Sequence, residues 1–257
     1  MKNGLGVELT DLLQGAVRDA AANYPRSLQA EIGPSQVGLE CTQRLARTLL
    51  DWPKSAAAGD PLPSFVGTAA HAATQAALER VNEQAPGTWL LEERVHVASG
   101  LSGSCDAYHV PSDTVLDHKF VGPSSLKTYR SKGPSRQYIV QIHCYGLGWE
   151  NAGRTPKNVA IAFWPRGGAM KDLHVWTAPY DRQLALDALE RVATVREALL
   201  TVDPEANPAM WAVFPKAPSH ACTYCDWYRP ASSDLSLGCP SEPGAVTRRA
   251  PIESLIA

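Results

Sequence analysis

The hydrophobic and polar positions divide this chain into helix-like and strand-like segments with no internal repeat. Residues 8–24 and 35–50 read as helices, the first stopped at Pro25 and the second by Trp52-Pro53. Residues 54–63, holding prolines, a glycine and small side chains, predict a loop. An alanine-rich helix follows over 68–81, with Thr68 as its cap. Three β-prone runs come next, at 89–98, 103–110 and 115–120, the last two separated by the turn signal Pro111-Ser112-Asp113. Residues 135–151 predict an amphipathic helix. Two strands at 158–164 and 173–177 are joined through Arg166-Gly167-Gly168, and a long helix covers 181–200. The remainder is mostly irregular. A helix, three strands, a helix and a strand predict an α/β fold, a mixed central sheet flanked by helices.

Two of the strand-like runs carry unusual chemistry. Gly103-Ser104-Cys105-Asp106 lies on one, and Asp117-His118-Lys119 on the next. On a strand, positions i and i+2 share a face, so Asp117 and Lys119 point together and His118 points away. A buried carboxylate and ammonium have no packing purpose, because charges enter interiors only when paired or bound to metal. The arrangement suits a divalent cation held beside a phosphate; the alternative is an exposed hairpin with scattered charges. On the helix that follows, Gln141 and Tyr145 are four apart and stack on one face. Lys119, Lys127, Arg130, Lys132 and Arg136 stand before and at the start of that helix with no acid among them. They predict a basic loop able to track a phosphate backbone, or else a solvated linker.

Of six cysteines, Cys222-Thr223-Tyr224-Cys225 forms a metal-chelating knuckle, and Cys239 follows in the same proline-bounded tail. Cys41, at the head of a helix, is the best fourth ligand. The first twelve residues lack a basic head followed by an apolar core, which predicts a cytoplasmic, reduced setting where clustered cysteines bind metal. Cys105 and Cys144 flank motif residues and read as small core hydrophobes. A metal tie between residue 41 and residues 222–239 closes nearly the whole chain into a loop, so metal binding becomes part of the folding free energy. Trp211, Tyr224 and Trp227 are close enough in sequence to shield it. Spacing does not separate a tetrahedral zinc site from an iron–sulfur cluster.

Taken together, His71 in its helix, Gly103-x-x-Asp106, Asp117-x-Lys119 and Gln141-x-x-x-Tyr145, in this order, resemble the PD-(D/E)xK nuclease superfamily, in particular its RecB-like branch. The resemblance covers about residues 71–145. The one-plus-three cysteine layout is similar to the iron–sulfur nucleases of that branch, the AddB nuclease domains and the CRISPR-associated four-cysteine exonucleases. The gap from Cys225 to Cys239 is longer than their pattern. The resemblance implies a single nuclease domain over 1–257, with a helical segment 1–60 carrying Cys41, a core at 64–200 and a cysteine-bearing segment 205–257. It implies Mg²⁺ or Mn²⁺ held by His71, Asp106, Asp117 and the backbone carbonyl of His118. Lys119 would steady the water or the phosphate, and Gln141 and Tyr145 would orient Lys119 and contact DNA. Cys41, Cys222, Cys225 and Cys239 would hold a 4Fe–4S cluster. The implied activity is a metal-dependent DNA exonuclease, acting on single-stranded ends with 5′ to 3′ direction, in recombination, repair or end processing. Alternatives are a non-catalytic DNA-binding or adaptor subunit, a CRISPR spacer-processing nuclease, and a zinc-stapled protein whose acids are coincidental.

Composition changes this picture little. At 257 residues the chain can bury a sizeable core, and it has no apolar stretch of membrane-spanning length. A net charge of −2 does not mark a nucleic-acid binder, so DNA contact rests on the local basic run. There is no Gly-x-x-x-x-Gly-Lys-Ser/Thr phosphate loop, so any unwinding would come from a helicase or recombination partner. Glu92 and Glu93 read as solvated strand-edge acids and are set aside.

Overall fold

The structure is a computed structural model that describes residues 4–23, 32–55, 59–217, 222 and 225–241. It falls into two compact units: Met1–Gly38 with Asp60–Arg191, and Leu39–Gly59 with Val192–Ala257.

The first unit is built on one five-stranded sheet in sequential order: β1 (Trp89–Ala98), β2 (Leu101–His109), β3 (Thr114–Val121), β4 (Asn158–Pro165) and β5 (His174–Pro179). β3 and β4 are parallel and all other pairs antiparallel. A parallel pair needs a crossover. Here α5 (Pro123–Lys132) and α6 (Arg136–Asn151) provide it. The expected mixed sheet flanked by helices is thus the observed fold. β4 is an interior strand covered on both faces: Val159 to Phe163 are all buried. Every residue of α6 from Val140 to Trp149 is buried. Gly148 makes this approach possible: a Cβ there would lie 2.6 Å from Val95 Cγ2 on β1.

Several element boundaries differ from the sequence expectation for local reasons. The helix expected over 35–50 is two: α2 (Pro34–Val37) and α3 (Thr42–Leu49). Between them, Gly38 lies so close to α6 that a Cβ would sit 2.8 Å from Gln137 Cα. The loop expected over 54–63 and the helix at 68–81 also shift, because α4 (Leu62–Gln84) begins six residues early. Pro61 is its N-cap and Pro63 sits in its first turn, where a missing N–H costs nothing, and Asp60 Oδ1 accepts from Leu62 N–H at 3.0 Å. Residues 56–58 lie outside the described residues. α1 (Gly4–Ala22) starts ahead of the expected residue 8, and its expected end at Tyr24-Pro25 lies outside the described residues.

The basic run is not a loop either: Lys127, Arg130 and Lys132 lie on α5, and Arg136 opens α6. Gly122-Pro123 starts α5 with proline in its first turn, and Gly133 at φ +76° ends it.

The second unit centres on α3 and the irregular tail. Trp211, Leu45, Gln43 and Arg47 are fully buried. Gln43 Nε2 donates to Trp211 O at 2.6 Å, Trp52 Nε1 to Ser236 O at 3.1 Å, and Trp227 Nε1 to Trp52 O at 3.0 Å. Indole N–H groups therefore fasten chain segments almost two hundred residues apart in sequence. The last helix, α7, spans Arg182–Val202. Among the described residues no helix is long and apolar enough to cross a membrane.

Candidate active site

The site grows from a break in the sheet. β2 and β3 pair at Ala107–Leu116, Tyr108–Val115 and His109–Thr114, and the ladder stops one step before Asp106 and Asp117. Released from the ladder, His118 N–H donates instead to Asp106 Oδ2 at 2.6 Å. Asp117 is 2% exposed. Lys119 Nζ lies 2.7 Å from its Oδ2, and Gln141 Nε2 on α6 donates to its Oδ1 at 3.1 Å. The i, i+2 spacing thus brings Asp117 and Lys119 together. Burial pushes the Asp117 carboxyl above its ordinary range, and the Lys119 charge pulls it part of the way back.

His118 turns to the other face, where its Nδ1 accepts from Trp164 Nε1–H at 3.1 Å. Burial lowers its pKa to about 4, so the ring is neutral at pH 7. Trp164 went unnoticed in the sequence because only the β3–β4 register brings it there.

His71 on α4 sets its Nδ1 3.4 Å from Asp106 Oδ2, and its ring meets Phe120 edge-on at 5.2 Å. Among the described residues, one group of three or more metal-type donors has ligand atoms all within 4.8 Å of one another: His71, Glu92 and Asp106. Asp117 is not in that group. Glu92 is a residue that sequence reasoning set aside. Its neighbours pair as Leu91–Ala107 and Glu93–Cys105, which puts Glu92 directly across from Asp106. Its φ is +51°, in the left-handed region that a mid-strand glutamate adopts only at a cost of about 1–3 kcal/mol. No local sequence signal marks this.

α6 presents Tyr138, Gln141 and Tyr145 along one face, at i, i+3 and i+7. Lys119 Nζ sits 4.9 Å over the Tyr138 ring centroid, a cation–π contact that the sequence reading missed although the spacing from Gln141 offered it. Tyr145 is buried in the hydrophobic core rather than open to solvent. Its ring edge also explains the glycine of Gly-x-x-Asp: a Cβ on Gly103 would lie 3.2 Å from Tyr145 Cε1 and 2.8 Å from Pro34 Cδ. Cys105 and Cys144 are fully buried, as expected of core residues, and burial raises both thiols, Cys144 to about 12.

Lys127, Arg130, Lys132 and Arg136 are all exposed. Arg130 Nη2 donates to Asp172 O at 2.6 Å. With Lys127 it lines a cleft of about 440 Å³ between α5 and the segment after β4.

In the second unit, Cys41, Cys222, Cys225 and Cys239 line one small pocket. Backbone N–H groups point at its sulfurs, Arg44 N–H to Cys41 Sγ and Ser241 N–H to Cys239 Sγ, each at 3.4 Å. Burial raises the Cys225 and Cys239 thiols. The four sulfurs do not form a group within 4.8 Å of one another. Trp227 borders the pocket and Trp211 does not; Thr223 and Tyr224 lie outside the described residues.

No protein-family model matches the chain, and no curated protein matches its sequence. Among solved structures, an alkaline exonuclease from Laribacter hongkongensis aligns with TM-score 0.48 and 12% identity over 73% of this chain and 96% of that one. That enzyme in complex with dAMP aligns with TM-score 0.47 and 13% identity, over 71% and 94%. A phage-related exonuclease from Haemophilus somnus 129PT aligns with TM-score 0.40 and 14% identity, over 80% and 91%. At such scores these are distant likenesses in outline.

Proposed function

We propose that this protein is a divalent-cation-dependent DNA exonuclease of the RecB-like PD-(D/E)xK kind. The observation that carries the reading is the buried Asp117–Lys119 pair, held by Gln141 at the point where β2 and β3 part, with Asp106 one backbone hydrogen bond away. Burying both an acid and an amine at a strand break destabilises a fold that has no further use for them.

The donor set fits a hard divalent cation. Two carboxylate oxygens and an imidazole nitrogen suit Mg²⁺ or Mn²⁺, and the nitrogen leans toward Mn²⁺. Asp106 and His71 belong to the expected set, and Glu92 joins them as an additional ligand. Asp117, now balanced by Lys119, and the His118 carbonyl complete it. Such a cation, when bound, acidifies water and offsets the charge that develops on a phosphodiester under attack. Lys119 would place an ammonium beside that phosphate, with the Tyr138 ring fixing its direction. Gln141 keeps Asp117 Oδ1 occupied, so Oδ2 alone is free to exchange Lys119 for the cation. Tyr145, being buried, fixes α6 against Gly103 rather than touching DNA. Lys127, Arg130, Lys132 and Arg136 give a basic, exposed path for a phosphate backbone.

Single-stranded ends, digestion from 5′ to 3′, a borrowed helicase and a role in recombination or repair complete the reading by resemblance. For the four cysteines we favour a 4Fe–4S cluster. That preference rests on the resemblance to the iron–sulfur nucleases, and a tetrahedral zinc ion is the alternative for four thiolates.

End-labelled single strands in Mn²⁺ provide the test. Asp106→Asn and Asp117→Asn should each lower the rate by about a hundredfold or more, with circular dichroism unchanged. Equal digestion by both variants would refute the assignment.

A further inference from the structure

The four-cysteine pocket holds a charge that the cysteines themselves do not explain. Arg47, in the last turn of α3, is 1% exposed. Its Nη2–H donates to Leu235 O at 2.6 Å, while among the described residues Nε and Nη1 have no hydrogen-bond partner. The guanidinium lies 4.2 Å over the Trp211 ring centroid and 5.9 Å from that of Trp52. Among the described residues no carboxylate lines the pocket, which Arg44 and Lys216 also line. Cys41, Cys222, Cys225 and Cys239 line the same pocket as Arg47.

A guanidinium so deeply buried is destabilising unless an anion faces it. Four neutral thiols supply none. Four thiolates around a divalent ion or a 4Fe–4S core of charge +2 leave a net charge of −2, and cations on one side of it are then required. We propose that Arg47 is the buried counterion of an anionic four-thiolate metal centre, holding the metal in place electrostatically rather than merely filling space between Trp52 and Trp211. This rests on the reading of Cys41, Cys222, Cys225 and Cys239 as ligands, and it applies equally to zinc and to iron–sulfur.

The experiment separates the two claims. Full-length protein, purified without oxygen, is assayed for iron, acid-labile sulfide and zinc per chain. A wild-type protein with none of these overturns the ligand reading and the counterion with it. Metal is then drawn out with a chelator from wild type, Arg47→Lys and Arg47→Met. Arg47→Met should release it about tenfold faster or more, because a buried opposite charge lining the same pocket outweighs thermal energy several-fold. Arg47→Lys, which keeps the charge and loses the planar stacking, should stay near wild type. After metal removal the order should invert: Arg47→Met should resist urea at least as well as stripped wild type, since an unpaired buried charge is gone. Equal metal retention by Arg47→Met and wild type overturns the proposal. So does equal destabilisation of loaded and stripped Arg47→Met, the signature of a packing role. Should Arg47→Met not fold, Arg47→Gln against Arg47→Lys gives the same comparison, and equal release rates for those two would again overturn it.

Discussion

Replacing Lys119 by methionine keeps most of the side chain's length and apolar contact but removes the ammonium 2.7 Å from Asp117 Oδ2. Asp117, 2% exposed, is left with one hydrogen bond, from Gln141. Breaking a buried pair on one side costs about 3–5 kcal/mol. Protonation caps that cost. Moving a carboxyl of ordinary pKa 3.8 to its neutral form costs about 1.36 kcal/mol per pH unit above it, hence roughly 4 kcal/mol at pH 7 and roughly 1.6 at pH 5. The sign follows from linkage. A carboxyl whose folded pKa is raised binds more protons folded than unfolded, so its penalty is absent below the unfolded pKa and grows as pH rises toward the folded pKa. Burial already raises Asp117, and losing Lys119 removes the main influence pulling it down. Lys119→Met should therefore be less stable than wild type by about 3–4 kcal/mol at pH 7, the gap shrinking by about 2 kcal/mol or more at pH 5. Urea unfolding followed by tryptophan fluorescence, with a chelator present, measures both. Asp117→Asn combined with Lys119→Met should recover most of the loss. A gap below about 1 kcal/mol that does not change with pH would refute the view that the ammonium neutralises a buried carboxylate.

Glu92→Gln should weaken Mn²⁺ binding at least about tenfold in titration calorimetry, and Glu93→Gln should leave it unchanged; equal affinities would remove Glu92 from the cation site. His118, held neutral with a pKa of about 4, contributes stability that is complete above the unfolded pKa of 6.5 and is lost as pH falls through that interval. The loss is about 3 kcal/mol by pH 4, and His118→Gln, which does not titrate, should show a correspondingly flatter acid limb in denaturant melts. Gly148→Ala puts a Cβ 2.6 Å from Val95 Cγ2 and should destabilise by about 1–2 kcal/mol despite alanine's better helix propensity; a gain in melting temperature would show that β1 yields freely.

What the sequence determined by itself is what local backbone geometry imposes. Asp117 and Lys119 share a face because side chains on a strand alternate. Gln141 and Tyr145 stack because helical neighbours recur every three to four residues. The run of strand and helix signals from residue 89 to 164 likewise translated into sheet and crossover, since each element has a regular apolar period. Where a glycine or proline had two readings, the local signal failed: Gly38 breaks a helix only because Gln137 lies against it, and Gly122-Pro123 opens a helix where a basic loop was expected. Tertiary structure alone decided the rest. Glu92 faces Asp106 through the β1–β2 register. Trp164 reaches His118 across β3 and β4. Arg47 comes to line one pocket with Cys41, Cys222, Cys225 and Cys239 through the folding of the second unit. Each of these depends on which distant segments exclude water together, a property of the whole packed chain that no window of neighbouring residues contains.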